Sequence, residues 1–148
     1  MEGSKLKHSE IPPEKIKAYL DTHYRFGQGV DLTTLRIDMH AETLLQLYAS
    51  SGCACGVFIT AYNPYGDKLS SKANEVAHAH LGEELKTLAQ GRVIDGAGAD
   101  PTGDWPEEKS FFVLGVDLDA ARELGIRYKQ DAIVWVGEDA VPKLILLR

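Results

Sequence analysis

Phe58 to Val76 reads FITAYNPYGDKLSSKANEV, and the order of elements along the chain follows from how this stretch divides. Val57, Phe58 and Ile59 are consecutive apolar residues, the pattern of a strand covered on both faces. The run stops at Asn63-Pro64, because Asn starts turns and Pro withholds a ladder donor. Ser70 or Ser71 then suits a helix N-cap, and Ala77, Leu81, Leu85 and Leu88 recur at helical spacing until Gly91. The stretch therefore joins a strand over Ala54–Tyr62 to a helix over Ser71–Gln90.

Working downstream, RVID is a short strand and the Gly-, Pro- and Asp-rich segment from Gly96 to Lys109 reads as a loop. SFFVLGV is the next strand. Asp117 or Asp119 opens a helix that should stop at Gly125. AIVWV and PKLILL form a hairpin around Gly137-Glu138-Asp139. From Ala54 to Val136 the order is β-α-β-β-α-β, that of a ferredoxin-like, split-βαβ core. The direct β-β step calls for antiparallel pairs in a mixed or antiparallel sheet.

Working upstream, Pro12 and Pro13 suit the start of a helix running to about His23. Ile16, Tyr19, Leu20 and Tyr24 share its stripe. LTTLRID, Leu32–Asp38, alternates like a strand. Leu44, Leu45, Leu47 and Tyr48 mark a second helix, capped by Asp38 or His40 and stopped by Gly52. The expected whole is α+β: one domain over residues 1–148, with an N-terminal helix-strand-helix extension and a flexible start over residues 1–10.

The chain of 148 residues carries 16 Lys and Arg against 22 Asp and Glu, a net charge of −6. Such a surface does not attract nucleic acid or anionic membrane at long range. The start, MEGSKLKHSE, has no apolar signal core, and no apolar run is long enough to span a bilayer. Two cysteines make no disulfide framework, so a reduced, cytoplasmic protein is expected.

Several motifs fall short of a reaction. His40 and Glu42 give H-x-E, half of the zinc deaminase signature, without P-C-x-x-C. Cys53 and Cys55 share a strand face but lack further ligands, and His78 and His80 lie about 200° apart on a helix. Neither cysteine has a histidine placed to activate it. GAGADPTG, Gly96–Gly103, lacks the spacing of a phosphate loop. No metal and no cofactor is implied.

The split-βαβ order does gather one set of side chains. The strand end at Asn63, the helix start at Ser71, the Gly96–Lys109 loop and the strand start after Gln130 share one sheet end. Asn63, Asn74, Trp105, Glu107, Glu108, Ser110 and Gln130 should meet there. The mix of amides, a flat aromatic face and a carboxylate suits a small polar ligand.

AYLDTHYRF (Ala18–Phe26), FITAYNP (Phe58–Pro64), Asn74, Trp105, Glu108, Ser110 and QDAIV (Gln130–Val134) resemble domain of unknown function family 3293. This is a bacterial family marked by T-A-[WY]-N-P. The resemblance runs from about Ile16 to Leu147. It implies Thr60, Asn63, Pro64, Asn74, Trp105, a Glu near 108, Ser110 and Gln130 as recurrent positions, and the family has no established activity. In WPEEKS, Glu107 and Glu108 compete for the glutamate position, and Lys129 stands where relatives carry glycine.

Three functions are compatible with these residues. The first is a small polar-metabolite binding domain, with Thr60, Asn63, Asn74, Trp105, Ser110 and Gln130 as ligand contacts. The second is an enzyme using Glu108 or Glu107 as general acid or base at the same place. The third is an interaction or regulatory module acting through a sheet edge. A homo-oligomer stays open; nucleic acid and membrane are not expected partners.

Overall fold

A computed structural model describes residues 10–88 and 92–148. Most of the expected flexible start, and the helix end at Gln90–Gly91, lie outside the described residues. Among these residues the fold is α+β, with four helices and one seven-stranded sheet. The helices are α1 (Pro13–Asp21), α2 (Glu42–Ser51), α3 (Ser71–Leu88) and α4 (Leu118–Arg127). The strands are β1 (His23–Phe26), β2 (Thr33–Leu35), β3 (Gly56–Ile59), β4 (Val93–Ala99), β5 (Glu108–Leu114), β6 (Ala132–Val136) and β7 (Pro142–Leu146).

The strand order is β2-β1-β4-β5-β3-β6-β7. Every neighbouring pair is antiparallel, so the sheet is not mixed. It is curled into a half-barrel. Beyond β2 the chain reaches the opposite edge strand: Asp38 N–H donates to Pro142 O at 2.8 Å and Ala41 N–H to Ala140 O at 2.8 Å.

Strand alternation divides the core in two. One face carries Tyr24, Phe26, Leu35, Phe58, Phe112, Leu114, Val134 and Val136, and α2 fills it with Leu44 and Tyr48. Tyr48 anchors the helix by donating its hydroxyl to Gly137 O at 2.9 Å. The other face carries Val57, Ile59, Phe111, Val113 and Ile133 under Leu81 and Leu85 of α3 and Ala121 and Leu124 of α4. Ser70 accepts from Ala73 N–H at 3.1 Å at the start of α3. Asp117 caps α4 by accepting from Ala120 N–H at 2.8 Å.

Four expectations about the helices and the upstream strands are corrected. The first helix ends at Asp21, and His23–Phe26 is a strand whose burial alternates, with Tyr24 and Phe26 inward. Leu32–Asp38 contributes only Thr33–Leu35 to the sheet. The α2 N-cap is Ala41, with no side-chain cap from Asp38 or His40. The last helix runs through Gly125 to Arg127, and Gly125 is there because Leu147 and Ile133 pack where its side chain would be.

The loop expected from Gly96 to Lys109 is shorter: Gly96–Ala99 belong to β4, and Glu108 and Lys109 to β5. Glycine is poor in strands unless another group must come close. Here Phe26 and Phe112 stack at 4.2 Å from the strands on either side of β4. A Cβ on Gly96 would lie 3.1 Å from both Phe26 Cβ and Phe58 Cε2. Gly96 is the room for this aromatic cluster.

Candidate functional site

The segment after β3 takes an uncommon backbone path. Asn63 (φ 46°) and Tyr65 (φ 53°) both lie in the left-handed region around the Pro64–Gly66 turn. Asn tolerates this region through its short polar side chain; Tyr enters it only where surroundings enforce it. Tyr65 N–H donates to Lys129 O at 2.7 Å and Gly66 N–H to Asn63 O at 2.8 Å. Lys15 Nζ, on α1, donates to Tyr65 O at 3.2 Å. A side chain at Gly66 would collide with Lys15 Nζ, so glycine is needed for contact as well as for its φ of 79°.

Asn74, buried in the first turn of α3, fixes Asn63 from both sides. Its Oδ1 accepts from Asn63 N–H at 2.9 Å, and its Nδ2 donates to Asn63 Oδ1 at 2.9 Å. Asn63 Oδ1 also accepts from Leu69 N–H at 3.0 Å. Asn63 Nδ2 then donates to Glu108 Oε2 at 2.9 Å. Glu108 Oε1 has no hydrogen-bond partner among the described residues. Burial pushes the Glu108 carboxyl up from its ordinary pKa, against the opposing pull of the Asn63 hydrogen bond and the Lys15 charge. Burial, then the Asp131 charge and hydrogen bond, raise the nearby Tyr19 phenol. Burial likewise raises the Tyr24 phenol.

The remaining expected residues divide into two groups. Thr60 donates its hydroxyl to Lys109 O at 2.7 Å and accepts from Tyr62 N–H at 3.1 Å. Buried Gln130 donates Nε2 to Tyr62 O at 3.1 Å, and buried Ser110 donates to Glu108 O at 3.1 Å. These three tie the strand end together. Glu107 instead points toward Arg25 at 4.0 Å, with 64% of its side chain exposed. Trp105 lies on the other flank of α1, in a cleft of ≈ 190 Å³ with Glu14, Ala18, Asp21 and Pro101. Neither joins Asn63.

The sequence reading missed an ionic cluster beside this loop. The Asp131 side chain is 1% exposed and is paired with Lys15 and Arg148. It also accepts from Tyr19 Oη at 3.1 Å. Burial alone would raise its carboxyl; the hydrogen bonds from Lys15 and Arg148 outweigh burial and hold it low. Arg148 also stacks over the Tyr65 ring at 4.4 Å. A charged residue directly after Gln130, in QDAIV, was the available signal. Its cations come from both ends of the chain and carry none.

Cys53 and Cys55 sit before β3, at the end away from Asn63, and burial raises the Cys55 thiol. His40 and Glu42 form only an exposed 4.0 Å pair. Among the described residues no three His, Cys, Asp or Glu are grouped to hold a metal ion, and no helix is long and apolar enough to cross a membrane.

No curated protein and no solved structure matches the chain. The family model described as Protein of unknown function (DUF3293) matches residues 59–133, which run from the last residue of β3 into β6 and include Asn63, Asn74, Glu108 and Gln130. That match covers half of the chain, and the protein belongs to this family.

Proposed function

We propose that the protein is a single-domain, cytoplasmic binding protein for a small polar metabolite. Its site would be the sheet end where Asn63, Glu108, Lys15 and Tyr19 meet. The observation that carries this reading is the Glu108 carboxyl: one oxygen is fixed by Asn63 Nδ2 at 2.9 Å and the other has no partner among the described residues. A half-buried carboxyl held by an amide, next to a loop in strained conformation, is a common way of arranging a ligand contact. A ligand offering an amine, amide or hydroxyl would complete the bonding of Glu108. Asn63, Asn74, Thr60, Ser110 and Gln130 then act as positioning residues, because their polar atoms already bond one another and the backbone.

The strand order β4-β5-β3-β6, all antiparallel, supports reading β3 through β6 as a split-βαβ core. In that reading the site lies where the two βα units face each other. The same carboxyl supports a second reading, an enzyme with Glu108 as general acid or base, since burial moves it toward the range where such groups work.

The test is a thermal-shift screen of small polar metabolites against the wild type and Glu108→Gln. A ligand that binds only the folded state raises the melting temperature. The reading expects a rise in the wild type that Glu108→Gln loses while its own ligand-free melting temperature is kept. An equal rise in both proteins, or no rise with any compound, would overturn it.

A further inference from the structure

On the sheet face that packs under α3 and α4, β1 and β2 present polar residues. Tyr24 and Leu35 are paired and point to the α2 side, so His23 and Arg25 on β1, and Thr34 and Arg36 at β2, point the other way. Arg25 pairs with Thr34, and the same register places Arg36 opposite His23. Two guanidinium groups therefore flank one imidazole, one across the strand pair and one two positions along.

Little neutralises these groups. The Arg36 side chain makes no hydrogen bond or ion pair among the described residues, and its Nε is buried without a partner. The His23 ring has no hydrogen bond among them. Arg25 reaches only Glu107, at 4.0 Å. The other charged residues around this face are engaged elsewhere or set apart. Lys109 pairs with Glu75 at 3.0 Å, Asp21 with Lys17 at 2.7 Å, and Asp95 lies beyond Arg25 on β4. Like charges placed opposite each other weaken a strand pair, and an unpaired buried donor calls for an explanation. Both features persist in a chain whose acidic residues outnumber its basic ones.

We propose that His23, Arg25 and Arg36 form a binding site for the phosphoryl group of a small phosphorylated metabolite. The planar fork of Arg36 would bond two oxygens, with Arg25 and His23 supplying the remaining donors. Two guanidinium groups beside an imidazole suit a dianion better than a carboxylate. The net charge of −6 disfavours a polyanion such as nucleic acid. Burial, then Arg36 and Arg25, hold the His23 imidazole below its ordinary pKa. A bound phosphoryl group would reverse the effect of the two arginines.

The test is an NMR titration of the full chain with inorganic phosphate and methyl phosphate at fixed ionic strength, following the His23 ring. Both should give saturating shifts and raise the His23 pKa. Arg36→Gln and Arg25→Gln should each weaken binding by about tenfold, the scale of one charge-assisted contact. Equal shifts with chloride or acetate, or unchanged binding in both variants, would overturn the assignment. A single-stranded oligonucleotide binding more tightly per phosphate than methyl phosphate would overturn the small-molecule source.

Discussion

Asn74 holds Asn63 by two hydrogen bonds at once, 2.9 Å to the backbone N–H and 2.9 Å to Oδ1. The pair joins the first turn of α3 to the end of β3 and fixes a left-handed residue between them. Asn74→Ala removes both bonds and strands the Asn63 N–H in a partly buried place. The expected loss is about 2–3 kcal/mol, from one unmade donor and one lost side-chain bond. Urea unfolding measures it. Asn74→Asp, which keeps the acceptor, should lose less; equal losses would show that the backbone bond is not the important one.

Asp131 gathers Lys15, Arg148 and Tyr19 around a side chain that is 1% exposed. Asp131→Asn leaves two cations facing a neutral group, and a loss of about 3–5 kcal/mol is expected for a broken buried pair. The folded state holds this carboxyl below its usual pKa, so it binds fewer protons than the unfolded state in acid. Its stabilisation is present above about pH 4 and is lost as the pH falls through the folded value. An acid titration of stability should therefore be flatter for Asp131→Asn than for the wild type.

His78 stacks on Phe111 at 4.3 Å, with its Nδ1 buried and unpartnered among the described residues. Burial lowers its pKa, Lys109 adds to this, and Glu75 opposes it. The fold prefers the neutral ring, while the unfolded chain takes up the proton first as pH falls through about 6.5. Stability from this residue is thus present above that pH and lost below it. His78→Phe keeps the stack without the nitrogen. Its melting temperature should exceed that of the wild type by more at pH 5.5 than at pH 7.5. A constant difference would remove His78 from the acid response.

Gly96 and Gly98 differ in what surrounds them although both face the same way on β4. A Cβ on Gly96 would lie 2.5 Å from Arg25 O, whereas one on Gly98 meets only Thr22 Cγ2, at 3.7 Å. Gly96→Ala should cost about 1–3 kcal/mol through overpacking. Gly98→Ala should change stability by less than about 0.5 kcal/mol, as at sites without such contacts. Chemical denaturation of the two variants compares them directly.

Much of the fold was legible because hydrophobic spacing is local. Val57–Ile59, the α3 stripe of Leu81 and Leu85, and the Asp117 cap each announce an element within a few residues. The element order from β3 to β6 then placed Asn63, Asn74, Glu108, Ser110 and Gln130 at one sheet end, where their hydrogen bonds are found. HYRF was not legible as a strand: four residues after a proline-led helix carry too little periodicity, and Tyr24 fitted the helical stripe equally well. GAGA was not legible either, since Gly96 answers to Phe26 and Phe58 on other strands.

The sequence by itself determined the α+β class, the αL-tolerant Asn before Pro64 and the polar residues of the strand end, because these depend on neighbours along the chain. Only the tertiary structure decided what those residues touch. It separated Glu108, the first residue of β5, from the exposed Glu107 just before it. It moved Trp105 to the far flank of α1 and brought Lys15 and Arg148 onto Asp131. It set Arg36 against His23. Each of these depends on strand register or on the docking of a chain terminus, and such contacts leave no periodic trace in the sequence.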